Sequence, residues 1–371
     1  MKVKIKKKIN SLYIHIPFCR NICPYCDFTK LLKNQNFEDE YIEQIIKDIS
    51  DAEISFYRFK TIYIGGGTPS CISLYNLEKL LKALNCVLNT STGYEFTIEA
   101  NPEDIDENFL KLLKKYGINR ISIGVQTFNV EILDSIHRNY NINFSRLIRL
   151  VKKYIKNINL DFIYGLPNYT FDVLKTDLDI FYRLKVKHAS FYSLIVDSGC
   201  IYYNLGINEP SDDLCREYYD FILSSMREHK FERYEVSNYS LPGFESEHNI
   251  NYWRNNEYLA IGIGASGYVG NIRYTNSKNI SAYLKGIRNC EKEIITDITL
   301  KEYYFITNLR LKDGFNIDEF NEKFKIDFLS QYKDKINKLL KNNMVSIQNN
   351  RFFCTDDGLI ILDEILLDLI S

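Results

Sequence analysis

Short apolar runs alternate with longer amphipathic stretches through the first half of the chain. Residues 61–64 form an apolar run of strand length, whereas residues 39–55 repeat apolar side chains at helical spacing. Six such runs each precede helical material and start mostly about 30 residues apart, which is the length of one βαβ unit. The predicted strands are 12–16, 61–64, 95–99, 121–125, 159–164 and 188–196.

This alternation predicts an α/β fold in which right-handed βαβ units form a parallel sheet. The pattern by itself does not distinguish an open, doubly wound sheet from a partial barrel. Because the alternation fades after residue 199, we predict one domain over residues 1–210 and a second region over residues 211–371.

The second region has a weaker pattern. Residues 231–238 predict one more strand, and from about residue 300 two helical stretches precede a hairpin of residues 344–347 and 351–354. Helices followed by a small hairpin predict an α+β, winged-helix-like end. The region is mixed in charge, so we expect it to dock onto the first domain and not onto DNA.

Composition narrows the classes of protein that fit. The chain has 371 residues, 45% of them hydrophobic, and a formal charge of −1, so it can bury a core and has no bias toward nucleic acid or acidic lipid. The basic start lacks the apolar segment of a signal peptide, and no apolar run reaches membrane-spanning length. Nine cysteines, an odd number, favour a reducing cytoplasm over a disulfide framework.

Three of the cysteines follow the first predicted strand in one loop: Cys19, Cys23 and Cys26. Thiolates at such close spacing favour an iron–sulfur cluster in a cell interior. Phe28 occupies the position where a Cys-x-Cys ending would supply a fourth ligand. Either a distant cysteine completes the site, or one iron stays open for a small molecule. The alternative is three buried, inert thiols.

Polar or glycine residues also mark the C-terminal ends of other predicted strands. These are the triplet 65–67, Glu99, Gln126 and Asp161. Because the carboxyl ends of parallel strands meet at one edge, we expect these residues to surround one ligand together with the cysteine loop. Taken singly, the triplet could be a tight turn and each polar side chain could simply be solvated.

These motifs together resemble the radical S-adenosylmethionine (SAM) family. The similarity is carried by YIHIPF before the cysteines, and by GGGTP, IEANP, GVQTF, IHR and LDFIYGLP. It implies a partial six-unit β/α barrel, a 4Fe–4S cluster on the three cysteines, and SAM on the open iron. The implied SAM contacts are Tyr13, Tyr25, Gly66, Gly67, Thr68, Glu99, Gln126, Arg138 and Asp161.

A segment of the second region indicates which branch of this family the chain resembles. His248 begins the sequence HNINYW, beside aromatic residues and in an exposed-looking position. A lone histidine in a turn is more often structural than a metal ligand. The pattern HNxxYW is similar, however, to a signature of the HemW haem chaperone branch, which implies that His248 binds haem.

The resemblance therefore implies a haem chaperone that passes haem to an acceptor protein and takes electrons from a reductant such as a flavodoxin-like donor. Membrane association would arise only through the acceptor. The alternative is oxygen-independent coproporphyrinogen III oxidase, or another radical SAM enzyme. The oxidase pattern ends in Cys-x-Cys, whereas this chain has Cys26-Asp27-Phe28, so whether the protein is an enzyme stays open.

Overall fold

A nine-stranded sheet forms the centre of the computed structural model, which describes residues 9–138, 140–288 and 290–370. Each of the six predicted strands is present, and three further strands extend the sheet at its two edges. In chain order the strands are β1 (Ser11–Ile16), β2 (Phe59–Gly66), β3 (Thr90–Ala100), β4 (Arg120–Gln126), β5 (Asn157–Tyr164), β6 (His188–Ser193), β7 (Glu232–Arg233), β8 (Asn238–Ser240) and β9 (Leu259–Ile261).

The sheet is mostly parallel and is not closed. Its spatial order is β9-β1-β2-β3-β4-β5-β6-β8-β7, with parallel pairs from β9 through β6. The strands β8 and β7 are antiparallel additions. Within the described residues the edge strands β9 and β7 do not pair with each other, so the prediction of an α/β partial barrel is confirmed.

Helices follow the core strands and cover the sheet. The first begins after Asn34, whose side chain accepts hydrogen bonds from two backbone N–H groups, and it buries Tyr41, Ile42 and Ile45 against the strands. These helices are Gln35–Asp51, Leu74–Val87, Glu107–Lys115, Val130–Ser135, Phe144–Val151 and Phe171–Leu184.

The chain beyond residue 200 adds to the same body before it forms a second one. The predicted single strand at 231–238 is wrong: the chain reverses between β7 and β8, where Asn238 N–H donates to the Glu235 carbonyl. The other elements up to residue 294 are the helices Ile201–Asn204, Asp212–Glu228, Glu247–Trp253 and Ile280–Leu284, and the strands Ser266–Val269, Ile272–Asn276 and Cys290–Ile294.

A second hydrophobic cluster, from Tyr304 to Leu369, lies in the C-terminal part. We call residues 297–370 the C-terminal unit. Its predicted hairpin is confirmed, with Asn349 and Asn350 both at positive φ in the turn. The unit contains the helices Asp297–Asn308, Ile317–Phe324, Phe328–Gln331, Lys333–Lys341, Asp356–Ile360 and Leu362–Ile370, and the strands Phe315–Asn316, Val345–Gln348 and Arg351–Cys354.

The domain division at residue 210 stays a prediction. The strands β7 to β9 come from beyond that residue, although they belong to the central sheet. Among the described helices, none combines the length and the hydropathy that crossing a bilayer requires.

Candidate cluster and cofactor site

The cysteine loop is fixed at both ends to the rest of the protein. Its two ends pair as short parallel strands, Phe18–Cys19 with Leu31–Leu32. The hydroxyl of Thr68, which follows β2, lies 3.6 Å from Cys19 Sγ in a hydrogen bond. The loop therefore lies directly over the carboxyl ends of the parallel strands.

A cavity of about 470 Å³ opens at these strand ends. Eleven of the predicted site residues line it, so these side chains surround one cavity, as we expected. They are Cys19, Cys23, Cys26, Tyr25, Gly66, Gly67, Thr68, Glu99, Gln126, Arg138 and Asp161.

The three thiols suit a cluster better than a single ion. Burial raises the pKa of Cys19 to about 11 and also raises the pKa of Cys26. A bound cation is therefore needed to hold these groups as thiolates at neutral pH. Within the described residues no three His, Cys, Asp or Glu side chains converge on one metal ion. Three thiols around one cavity fit the wider separation of ligands in a 4Fe–4S cluster.

The glycine triplet lets the cysteine loop approach β2 closely. A Cβ atom at Gly67 would lie 2.8 Å from Cys19 Sγ and 2.7 Å from the Pro17 carbonyl oxygen. Gly66 has φ of 126°, a conformation that other residues rarely adopt. Its N–H donates to Glu99 Oε2 over 3.1 Å. The triplet is thus required by the packing of the protein around the site.

Glu99 is a half-buried carboxyl group that lines the cavity. Its oxygens accept hydrogen bonds from the Tyr63 hydroxyl, at 2.8 Å, and from Gly66 N–H. Burial nevertheless raises the pKa of Glu99 to about 7, and the nearby Asp161 adds to the effect. A cationic ligand in the cavity would favour the ionised form, which makes Glu99 suited to a sulfonium or an ammonium group.

Arg138 presents an unused donor at the same cavity. Its Nη1 donates to Asn101 Oδ1 at 3.0 Å and to the Gly124 carbonyl at 2.9 Å. Its buried Nε has no hydrogen-bond partner among the described residues. An unsatisfied buried donor is costly, so this atom fits an acceptor such as the carboxylate of SAM.

Gln126 and Asp161 are held in place by local structure. Gln126 lies at a register shift between β4 and β5 and has φ of 66°, which turns its side chain out of the regular strand alternation. Asp161 accepts hydrogen bonds from Ser122 Oγ at 2.6 Å and from Asn159 Nδ2 at 2.8 Å. Both side chains therefore reach the cavity in defined orientations.

Sequence reasoning missed several residues that line the cavity. Tyr63, Ser122 and Asn101 belong to this group. Tyr63 lies four positions before Gly67 and Asn101 two positions after Glu99, so the two-residue alternation of strand faces would have found them. The register shift before Gln126 hides Ser122 from the same argument.

Tyr13 and His248 are the two predicted residues that do not line the cavity. The Tyr13 hydroxyl is hydrogen-bonded to His15 Nδ1 at 3.0 Å, and its ring lies beside that of Tyr63. A contact between Tyr13 and SAM therefore stays a prediction.

His248 is inside the barrel, and the prediction that it is exposed is wrong. It is 1% exposed. Its Nδ1 lies 3.0 Å from Ser11 Oγ and 2.9 Å from Thr61 Oγ1, and its Nε2 lies 2.7 Å from the Tyr252 hydroxyl. With both ring nitrogens bonded, His248 does not fit an iron ligand in this conformation.

The helix that carries His248, Glu247–Trp253, joins the barrel to the C-terminal unit. At its start, Glu95 of β3 accepts hydrogen bonds from the N–H groups of Glu247 and His248, both at 3.1 Å. At its end, Arg254 donates two hydrogen bonds to the Asp313 carboxylate. The HNxxYW segment thus has a clear architectural role.

The fold is similar to that of a solved enzyme. Coproporphyrinogen III oxidase (HemN) from Escherichia coli superposes with a TM-score of 0.85 at 19% sequence identity, over 98% of this chain and 91% of the enzyme. At that identity the likeness shows the shared fold alone.

Family models and full-length relatives define the family. Residues 13–180 match the model of the radical SAM superfamily, and residues 302–361 match that of the HemN C-terminal domain. The haem chaperone HemW of Lactococcus lactis is 39% identical over 95% of both chains, and that of Bacillus subtilis is 34% identical over 96% of this chain and 98% of the relative. The radical SAM superfamily carries a 4Fe–4S cluster and SAM, which agrees with the donor set of the cavity. The chain belongs to the HemW family within the radical SAM superfamily.

Proposed function

We propose that this protein is a haem chaperone, which binds haem and transfers it to an acceptor protein. The observation that carries the proposal is the similarity, over nearly the whole chain, to proteins named haem chaperones. The enclosed cysteine cavity supports the further proposal that a 4Fe–4S cluster and SAM accompany this function.

Different residues of the cavity would bind the cluster and SAM. Cys19, Cys23 and Cys26 would ligate the cluster, which supplies single-electron reduction of a bound sulfonium. Arg138 would donate its free Nε–H to the carboxylate of SAM, and Glu99 would balance a positive charge of the cofactor. The cysteine loop and the strand ends enclose this volume and limit the access of water.

The alternative function is oxygen-independent coproporphyrinogen III oxidation, which the shared fold allows. Phe28 borders the cavity and is 66% exposed, at the position where the oxidase pattern has a fourth cysteine. This difference favours the chaperone over the oxidase.

We also propose a cytoplasmic location and two protein partners. Nine unpaired cysteines are suited to a reducing compartment. The partners are a haem-accepting protein and a reductant such as a flavodoxin-like donor, because the cluster needs an external electron source. Nucleic acid is not among the proposed partners, and a membrane would be reached only through the acceptor.

An anaerobic comparison of two substrates tests the function. Protein with a reconstituted cluster is mixed with haem, or with coproporphyrinogen III, SAM and a reductant. A stoichiometric haem Soret band without decarboxylated product is the expected result. Turnover of coproporphyrinogen without stable haem binding would show that the protein is an oxidase and would contradict the proposed chaperone function.

A further inference from the structure

The five histidines of the chain differ sharply in what they offer to a metal. His15, His188 and His248 are buried, and both ring nitrogens of each are within hydrogen-bond distance of protein atoms. His137 and His229 are exposed, and each has a hydrogen bond only at Nδ1 among the described residues. Within the described part of the chain, only these two histidines therefore present a free Nε2.

The surroundings separate the two exposed histidines. His229 stacks on Tyr182 with ring centroids 3.5 Å apart, and it lines none of the described cavities. His137 lines both the cluster cavity and a neighbouring groove of about 430 Å³. We call this second space the Ile22 groove, because Ile22 lies between the two.

The Ile22 groove is apolar and open. Besides His137 and Asn21, it is lined by Ile22, Leu32 and Ile201, and Leu32 is 60% exposed. Phe28 and Ile195, which line the neighbouring cluster cavity, are also exposed. Adjoining exposed apolar side chains of this kind mark a binding surface, and a flat, apolar macrocycle would cover them.

The hydrogen bond of His137 leaves the other ring nitrogen able to bind an iron atom. Its Nδ1 lies 3.2 Å from the Ile22 carbonyl oxygen, which only accepts, so Nδ1 carries the proton. The unprotonated Nε2 then has its lone pair available. A histidine that donates its other N–H to a backbone carbonyl is the usual arrangement of a metal ligand.

The backbone of His137 is also unusual. It has φ of 62°, in the left-handed region, just after the helix Val130–Ser135. Glycine or asparagine is usual at such a position, because a larger side chain is strained there.

We propose that haem binds in the Ile22 groove, beside the cluster cavity, with His137 Nε2 as an axial ligand of its iron. The inference rests on the proposed function as a haem chaperone and assigns its haem site. The macrocycle would cover the apolar side chains, and its iron would take the lone pair of Nε2. Haem would then be held next to the SAM volume, because His137 lines both spaces.

The test is an anaerobic haem titration of the full chain with its cluster reconstituted, followed by difference absorbance. The variant His137→Asn keeps a side chain that tolerates positive φ and can still donate to the Ile22 carbonyl. We expect it to bind haem at least about tenfold more weakly, with a shifted Soret band. Mutation of a residue that only supports a metal ligand already lowers metal affinity by about this factor. His229→Asn is the matched control and should match the wild type.

A second variant distinguishes loss of the ligand from loss of structure. In His137→Gly, glycine accepts the backbone conformation, and added imidazole should restore the wild-type Soret band. Wild-type affinity and spectrum in His137→Asn would overturn the assignment, as would loss of the band in His229→Asn or His248→Asn alone. If the wild type itself binds no haem, the proposed function fails, and the site fails with it.

Discussion

The ring of His248 stacks on the ring of Tyr63, with centroids 4.9 Å apart and planes inclined by 26°. The Tyr63 hydroxyl donates to Glu99, which lines the cluster cavity. A histidine from the second half of the chain therefore supports the cofactor site from inside the barrel, through one aromatic ring and one hydrogen bond.

We predict that His248→Asn weakens SAM binding and leaves the haem spectrum unchanged. It removes the stack on Tyr63 and disturbs the bonds to Ser11, Thr61 and Tyr252, so the free energy of unfolding should fall by about 2 kcal/mol or more. Calorimetric SAM titration and denaturant unfolding measure the two effects. Tyr63→Phe is the control, because it keeps the stack and loses only the bond to Glu99. Loss of haem with intact SAM binding would show instead that His248 is the ligand.

Replacement of Cys23 by serine should abolish the cluster, because two thiolates do not hold it. The visible absorbance and the iron content of the anaerobically reconstituted protein report the result. Cys86→Ser serves as the control, since Cys86 is exposed on the helix Leu74–Val87 and does not line the cavity. An intact cluster in Cys23→Ser would remove this residue from the ligand set.

SAM binding should become tighter as the pH rises from 6 to 8. Burial holds the pKa of Glu99 at about 7, so the group is mostly protonated at pH 6 and ionised at pH 8. A cationic ligand requires the ionised form, and the affinity should fall by up to about tenfold for each pH unit below 7. Glu99→Gln should bind SAM weakly and without this dependence.

The exposed Glu103, also at the cavity, supplies the control for that experiment. Glu103→Gln should keep the pH dependence of the wild type.

The raised pKa of Glu99 also affects folding. Native Glu99 keeps a proton that the unfolded chain loses above about pH 4.5, so its contribution lowers the free energy of unfolding as the pH rises toward 7. A wild-type SAM affinity that does not change between pH 6 and 8 would contradict the role of Glu99 in SAM binding.

Gly67→Ala should impair cluster assembly without unfolding the barrel. The new methyl group would overlap Cys19 Sγ and the Pro17 carbonyl and push the cysteine loop away from β2. We expect less iron per chain after reconstitution and unchanged far-ultraviolet circular dichroism. In Gly199→Ala, where the nearest atom to the new Cβ is 3.9 Å away, iron content should be normal. Equal iron content in both variants would show that the close approach is dispensable.

The parallel core and most of the cavity could be predicted because both follow from local pattern. Buried parallel strands are continuous apolar runs, and their carboxyl ends meet by geometry. Glu99 is recognisable because it stands next to the end of β3, whereas Asp161 lies within β5, three residues before its end.

The surroundings of His248 could not be predicted in this way. Its partners Ser11, Thr61 and Glu95 lie more than 150 positions earlier in the chain, and nothing in the local pattern distinguishes a buried, bonded histidine from an exposed one. The hairpin of β7 and β8 was missed for a related reason, because four residues of turn interrupt an otherwise strand-like composition.

The helix Glu247–Trp253 also affects how the protein unfolds. One end is bonded to Glu95 within the barrel, and the residue after its other end, Arg254, is bonded to Asp313 of the C-terminal unit. The two hydrophobic clusters therefore share one connecting element, and neither can lose its structure without breaking hydrogen bonds to this segment. Heating should produce a single cooperative transition, in which the cofactor cavity and the C-terminal unit are lost together.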